Sequence, residues 1–303
     1  MKVPLTYVII VNWNGKKDTL ECLSSLAPVR KQYSSLFVVV VDNDSKDGSR
    51  EEIKKHYPWV HCIYNDQNFG FAGGNNKGIT YALDHHADYI WLLNNDTIVD
   101  KNVLSMLSSF QDPAVGAVGS KIYFSKGHEY HHDRYEKKEY GKVFWYAGGL
   151  IDWKNMLASH RGVDEVDHGQ FDIQTETDFI TGCSFCIRSE VIRKVGLLDE
   201  SYFMYMEDLD YSLRIQRLGF KTVYNPCSVL WHKNASSTGG SGSSLHEYYQ
   251  TRNRLKIGMT YAPFRTKCAL LREGVRMLTG VSDIKRQAVS DFLRGVTGQK
   301  YEK

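Results

Sequence analysis

The chain has 303 residues, which fits one large α/β domain or two small ones and is long enough to bury a sizeable core. Its 38 Lys and Arg against 35 Asp and Glu leave a formal charge of +3, too slight to call for nucleic acid as a partner. No apolar run approaches the roughly 20 residues of a membrane-spanning helix, and the opening MKVPLTYVIIVNWNG lacks the apolar stretch of a secretory signal.

The first hundred residues alternate between two patterns. TYVIIVNW is a short apolar run rich in β-branched residues and reads as a strand, after which KKDTLECLSSL sets Leu20, Leu23 and Leu26 at helical spacing. LFVVVVDN is a second strand, GSREEIKKHY a helix, VHCIYN a third strand, GGNNKGITYALDHH a helix and YIWLLNND a fourth strand. Apolar strands separated by helices predict an α/β fold with a mostly parallel central sheet and helices on both faces. Ligands of such sheets bind beyond the C-terminal strand ends. Those ends carry Asn12-Trp13-Asn14-Gly15, then Asp42-Asn43-Asp44-Ser45, then the turn NFGFAGGNNKG, then Asn94-Asn95-Asp96. Each cluster alone is an ordinary turn; four on one edge point to a site. The chain has no GxxxxGK[ST] loop, and strand one lacks G-x-G-x-x-G, which disfavours a Walker nucleotidase and a dinucleotide dehydrogenase. Gly70, Gly73 and Gly74 instead follow strand three, where they would let backbone approach a ligand closely.

In the second half, KNVLSMLSSFQD (101–112) is predicted to be a helix and AVGAVGSKIYF a strand. His128, His131 and His132 follow among mixed charges without the i, i+4 spacing of a helical metal site, which predicts a solvated hairpin. Residues 179–187 read as a strand and 189–195 as a helix. Cys183 and Cys186 lack a second pair, so buried, reduced thiols in a cytosolic chain are the simplest reading. Tyr202, Phe203 and Tyr205 then precede Glu207-Asp208 and a helix with Leu209, Leu213, Ile215 and Leu218 on its apolar side and Gly219 as its stop. Carboxylates at a helix start can simply cap it, but capping does not need an aromatic wall, which resembles a cleft. The Gly/Ser-rich stretch after WHKNASST is a linker or a lid. Tyr248, Tyr249, Arg252 and Asn253 then share one helical run that could place Arg252 on phosphate. Residues 254–303 are basic and partly amphipathic, open to a membrane surface, a packed helix or a homodimer contact.

Taken together, VNWNG, VVVDNDSKDGS, NFGFAGGNNKGI, LLNNDTIV, the segment 181–220, WHKNASST and YYQTRNRL resemble a family 2 glycosyltransferase of the GT-A fold. The likeness is greatest to the rhamnosyltransferase-like branch that builds bacterial surface polysaccharides, and it covers roughly residues 5 to 255. It implies an inverting hexosyltransferase that takes a nucleoside-diphosphate sugar, dTDP-rhamnose by preference or a UDP-hexose, and transfers the sugar to a glycan or lipid-linked glycan. It implies a nucleotide-sugar half over residues 1–100, an acceptor-binding and catalytic half over 101–235, and a lid with C-terminal helices over 236–303. By the same resemblance, Val11, Asn12, Trp13, Asn14, Asp42 and Asn43 hold the base, with Asp42 accepting from the pyrimidine N3–H. Asn68, Gly70, Gly74 and Asn76 line the nucleoside. Asp96, last residue of an Asp-x-Asp-type motif, and His232 meet a divalent cation, Mg²⁺ or Mn²⁺, and Arg252 the diphosphate. Asn94 and Asn95 stand where many relatives are acidic, and one carboxylate can suffice because Mg²⁺ keeps waters and takes phosphate oxygens. Asp208 is the implied base, with Glu207 orienting it or a sugar hydroxyl. The implied location is the cytoplasm, with peripheral contact at the inner face of the membrane. A nucleotidyltransferase and a non-catalytic sugar-binding protein remain as alternatives. NWNGKKD lacks the Gly-rich basic loop of the first, and the second has no use for Asp96, Asp208 and His232 together.

Overall fold

The apolar runs of the first half pair side by side. In a computed structural model that describes residues 3–233, 243–280 and 282–300, β1 (Thr6–Asn12), β2 (Leu36–Asp42), β3 (His61–Tyr64) and β4 (Tyr89–Leu93) form a parallel set. Helices α1 (Lys16–Gln32), α2 (Ser49–His56) and α3 (Gly70–Asp84) make the crossovers. Alternate β1 residues face opposite layers, as the strand period requires. Val8 and Ile10 pack with Cys22, Leu23 and Leu26 of α1, whereas Tyr7 and Ile9 pack with Ile79 and Ala82 of α3.

The second half extends the same sheet. After β5 (Thr97–Val99) come β6 (Val115–Phe124), β7 (Phe144–Tyr146), the hairpin β8 (Gly149–Asp152) and β9 (Leu157–His160), then β10 (Thr175–Glu176) and β11 (Ser184–Arg188). Helices α4 (Ser189–Val195) and α5 (Glu207–Arg217) lead to β12 (Lys221–His232). The strand order is β10-β12-β6-β11-β4-β1-β2-β3, with β5 on β12 and β7 on β6. β11 runs antiparallel between β4 and β6, so one ladder joins the two halves.

Three expectations need correction. Residues Val103–Gln111 form a 3₁₀ helix that buries Val103, Leu104, Met106, Ser109 and Phe110. The ladder of β11 starts at Ser184, because Phe179–Cys183 leave the sheet to wall a cleft. Leu218 lies at the end of α5, half exposed, while Leu209, Leu213 and Ile215 are buried. β7 to β10 had no legible signal. The segment after β6 closes the β6–β7 pair as a long loop in which His128 and His132 are exposed but Glu129 is buried, its carboxylate accepting from Gly127 and Gly141 N–H. Cys183 and Cys186 are buried free thiols.

Helices α6 (Ser244–Tyr261), α7 (Phe264–Leu278) and α8 (Asp283–Leu293) follow. They pack through Leu255, Leu270 and Val289 on Met156, Phe179, Leu209 and Leu213, which ties them to the β8–β9 hairpin and α5. The Gly/Ser-rich stretch expected to be a linker or lid lies, over 234–242, outside the described residues.

Contact between α3 and β1 depends on Gly78, where an added Cβ would collide with buried Ile9 Cγ2. Gly78→Ala should therefore be destabilising by about 1–2 kcal/mol net, the overpacking cost exceeding the helix-propensity gain. Urea unfolding measures this, and a variant at least as stable as the parent would refute the close contact.

Candidate active site

Under the C-terminal strand ends lies a buried polar hub centred on Asn12. Its Nδ2 donates to Asp42 Oδ2 at 2.8 Å and Ser49 Oγ at 2.9 Å, while its Oδ1 accepts from Thr19 Oγ1 and the Gly15 N–H. Asp42 accepts further from Ser45 N–H and Arg50 Nε, the latter at 2.6 Å. Burial pushes the Asp42 carboxyl up, but the bonds from Ser45, Arg50 and Asn12 outweigh it and hold the group below the usual carboxylate range. Asn95 Nδ2 donates to Thr19 Oγ1 at 3.0 Å and faces Asn12 Oδ1 at 3.5 Å. An amide suits that position, since a carboxylate has no proton to give.

Above the hub opens a cleft of about 530 Å³, within the range of small-molecule sites. Val11, Trp13, Asn43, Asn68 and Gly70 line one end, and Asp96 and His232 line it where β4 leads into β5 and β12 ends. β5 pairs with β12 so that Thr97 faces His232, and Lys233 N–H donates to the Asp96 carbonyl. Lys233 Nζ in turn grips Asp18 and Glu21 of α1 at 2.8 and 2.6 Å. His232 Nε2 sits 3.1 Å from Asp96 Oδ1 as its ion-pair partner, and Asp96 Oδ1 and His232 Nδ1 are both buried with no hydrogen bond. Burial raises the Asp96 pKa, but the facing His232 and nearby Lys233 more than offset it and leave it below the ordinary value. A buried carboxylate oxygen and imidazole nitrogen left unbonded fit a divalent cation with mixed O and N ligands. No group of three or more His, Cys, Asp or Glu among the described residues could hold one, so water and a ligand's phosphates would complete the shell.

The other wall is a strained loop. Phe203 (φ 66°, ψ −59°) forms a γ-turn closed by Met204 N–H to the Tyr202 carbonyl, and Tyr205 and Met206 also have positive φ (65° and 73°). Two buried side chains of α6 hold this loop. Asn253 Nδ2 bonds the carbonyls of Tyr202, Met204 and Tyr205 at 2.8–3.0 Å, and Arg252 bonds those of Ser201 and Tyr202 while stacking on Tyr249. On the far side, the Phe203 carbonyl accepts from Phe71 and Ala72 N–H at the start of α3. Met206 is the left-handed entry to α5, whose first residues are Glu207 and Asp208. Asp208 accepts from Gly182 N–H at 2.8 Å and Leu209 N–H at 2.8 Å. Burial raises its pKa against those bonds. Glu207 Oε2 is buried without a partner, and burial, reinforced by the neighbouring Asp208 charge, pushes its pKa well up.

A family model described as "Glycosyltransferase like family 2" matches residues 4–256. The chain belongs to glycosyltransferase family 2. It is similar to the low-salt glycan biosynthesis hexosyltransferase Agl10 of Haloferax volcanii, at 25% identity over 82% of this chain and 73% of that one. It is also similar to the dTDP-rhamnosyl transferase RfbF of Shigella flexneri, at 23% identity over 96% of each. Among solved structures, GalNAc-T7 with UDP, GalNAc and Mn²⁺ shares the GT-A fold with a TM-score of 0.66 and 18% identity. That match covers 97% of this glycosyltransferase but 55% of that chain, so this chain spans about half its length.

Of the residues expected at this glycosyltransferase's site, Val11, Trp13, Asn43, Asn68, Gly70, Asn94, Asn95, Asp96, Glu207, Asp208 and His232 line the one cleft. The rest do not. Asp42 and Asn12 lie beneath it, buried and bonded to each other and to their neighbours within the hub. Asn14 Oδ1 accepts from Lys46 N–H in the adjoining turn. Asn76 staples α3 to Leu198 and Glu200, and a Cβ at Gly74 would press on Val11 at 2.9 Å. At Gly70, a Cβ would strike the Phe203 carbonyl, so its left-handed glycine (φ 71°) admits protein backbone as well as facing the cleft. Arg252 is buried, its N–H groups on carbonyls, and it is not on the cleft wall. Trp145 and His160 of the cleft wall escaped sequence reasoning. Trp145 stands edge-on between His160 and His232, each 4.4 Å from its ring centroid. Burial takes the His160 imidazole down to about 4 despite its bond to the Trp145 carbonyl, so near neutrality it is uncharged and donates through Nδ1. No local pattern announces either residue, because only the fold, which pairs β7 with β6, brings Trp145 to His160 and His232.

Because the folded state keeps the Glu207 proton while the unfolded chain releases it above the ordinary 4.5, rising pH favours unfolding until the folded group ionises too. Glu207→Gln cannot ionise in either state. It should melt higher than the parent at pH 7 to 8, with the gap closing below pH 4.5. A gap independent of pH in thermal melts would show Glu207 to be charged in the fold.

Proposed function

We propose that this glycosyltransferase moves a sugar, rhamnose from dTDP-rhamnose by preference, onto a hydroxyl of a growing surface glycan or lipid-linked glycan, with inversion at the anomeric carbon. The observation that carries the reading is that Asp208, a carboxylate of raised pKa, shares one cleft with the unbonded Asp96–His232 pair. The relatives' names speak of hexosyl and dTDP-rhamnosyl transfer, which supports the donor class.

In the proposed reaction, the base of the donor rests at the Val11, Trp13, Asn43 and Asn68 end and its diphosphate at Asp96 and His232. A divalent cation, held there by those two residues when bound, would supply charge neutralisation for the departing diphosphate. The acceptor hydroxyl oxygen attacks the anomeric carbon from the face opposite the phosphate, the bond from that carbon to the phosphate oxygen breaks, and its electron pair leaves with the nucleoside diphosphate. The hydroxyl proton passes to Asp208. Direct displacement needs one base and no covalent intermediate. Asp208 suits the task because each of its oxygens accepts one backbone N–H, which fixes the group and leaves lone pairs free, while its raised pKa strengthens it as a base. Burial and the Asp208 charge push the Glu207 pKa up, which disfavours a second negative charge in the cleft.

Asp208→Asn keeps the size of the side chain, gives up one of its two accepted N–H bonds and removes the base. Turnover should fall by about two to four orders of magnitude with donor affinity nearly unchanged. Near-parental sugar transfer by this variant, followed as nucleoside diphosphate release with dTDP-rhamnose and UDP-hexoses, would overturn the assignment. For Asp96→Ala the expectation is loss of activity together with loss of the extra thermal stabilisation that Mn²⁺ gives in the presence of dTDP or UDP. If calorimetric melts retain that metal-dependent shift, the cation is held elsewhere.

A further inference from the structure

Helix α7 buries Thr266, Leu270 and Gly274; Leu270 packs on Gly258 of α6, and Gly274 faces Val289 of α8. The opposite side looks into solvent. There, Phe264, Leu271 and Val275 are 80%, 42% and 62% exposed, and their spacing of seven and then four residues makes one continuous stripe. Arg265, Arg272 and Arg276 repeat the same spacing one residue later, so a row of exposed guanidiniums flanks the stripe. None of these three arginines has an acidic partner among the described residues. Glu273, the one acid of α7, is held at 2.8 Å by Arg254 of α6 and does not neutralise the row. Large exposed apolar side chains in line mark a contact surface, and the charge beside them says of what kind.

We infer that this face of α7 docks on an anionic lipid bilayer, with Phe264, Leu271 and Val275 in the acyl boundary and the arginine row on headgroup phosphates. The attachment is peripheral, since no helix among the described residues is long and apolar enough to cross a membrane. A second copy of the chain is the poorer occupant. Antiparallel pairing of the stripe with itself about a two-fold axis would bring the two arginine rows together on one side, like charge against like. α7 directly follows α6, whose Arg252 and Asn253 hold the loop that walls the cleft, so the docked surface and the acceptor side of the cleft belong to one packed unit.

The test is co-sedimentation of the full chain with vesicles of phosphatidylglycerol and phosphatidylcholine in equal parts, against phosphatidylcholine alone. The parent should bind the anionic vesicles selectively, and raised salt should release it. Replacing Arg265, Arg272 and Arg276 together by Ala should weaken partition roughly 100-fold, and Phe264→Ser with Val275→Ser by about ten-fold or more, on the usual worth of interfacial arginines and buried apolar area. Both variants should keep the parental melting temperature and turnover on a water-soluble acceptor, which separates lost docking from lost folding. Equal binding to the two vesicle types, or binding indifferent to the arginines, overturns the inference. So does a parent that is dimeric by light scattering, ignores vesicles and becomes monomeric on Phe264→Ser, which would give this face to a second copy.

Discussion

Three residues between Tyr202 and Glu207, none of them glycine, hold positive φ, and the active cleft exists only because the rest of the chain keeps them there. Left-handed or γ-turn backbone costs on the order of 1–3 kcal/mol at each such residue. It persists where surrounding groups over-determine it, and here they come from two sides: the N–H groups that open α3 and the side chains of Asn253 and Arg252 on α6. The reward is a sharp entry into α5. Glu207 and Asp208 thereby meet the cleft on the first turn of a helix whose Leu209, Leu213 and Ile215 anchor it in the core. The C-terminal helices therefore support the loop through Arg252 and Asn253, and α6 also reaches the cleft wall with His246 and Gln250.

The same cleft drives its carboxyls in opposite directions. Asp96 faces an imidazole and lies near the Lys233 ammonium, which keeps it an anion in spite of burial. Glu207 and Asp208 face no cation, and burial holds their protons more tightly. One environment suits the binding of positive charge and the other the uptake of a proton, a division set by neighbours rather than by residue type.

Much of this was legible in the chain. β1, β2 and β4 announce themselves because strands buried on both faces are continuous apolar runs, and the polar strand ends, Asp96, His232 and the Glu207-Asp208 pair follow from order and resemblance. What escaped did so for physical reasons. Short strands such as β7 and β9 draw their stability from cross-chain partners and leave no period of their own. Val103–Gln111 carries an apolar pattern compatible with either helix, and its buried residues, Val103, Leu104, Met106, Ser109 and Phe110, fit both periods. The polar residues Asn12, Asp42, Asn76 and Arg252 look identical in sequence whether they meet a ligand or a backbone carbonyl. Only the fold shows the bonds they make within the protein: Asn12 and Asp42 with each other, Asn76 and Arg252 with backbone carbonyls.

Asp96 and His232 are far apart along the chain yet adjacent by ladder register, since β5 pairs with β12 and the Lys233 N–H reaches the Asp96 carbonyl. Chain length between them does not enter that geometry. Of the stretch that separates them, the long loop before β7 lies outside that ladder, so a change in its length need not move the pair. The spacing of the pair is therefore a property of the sheet and not of the intervening loop.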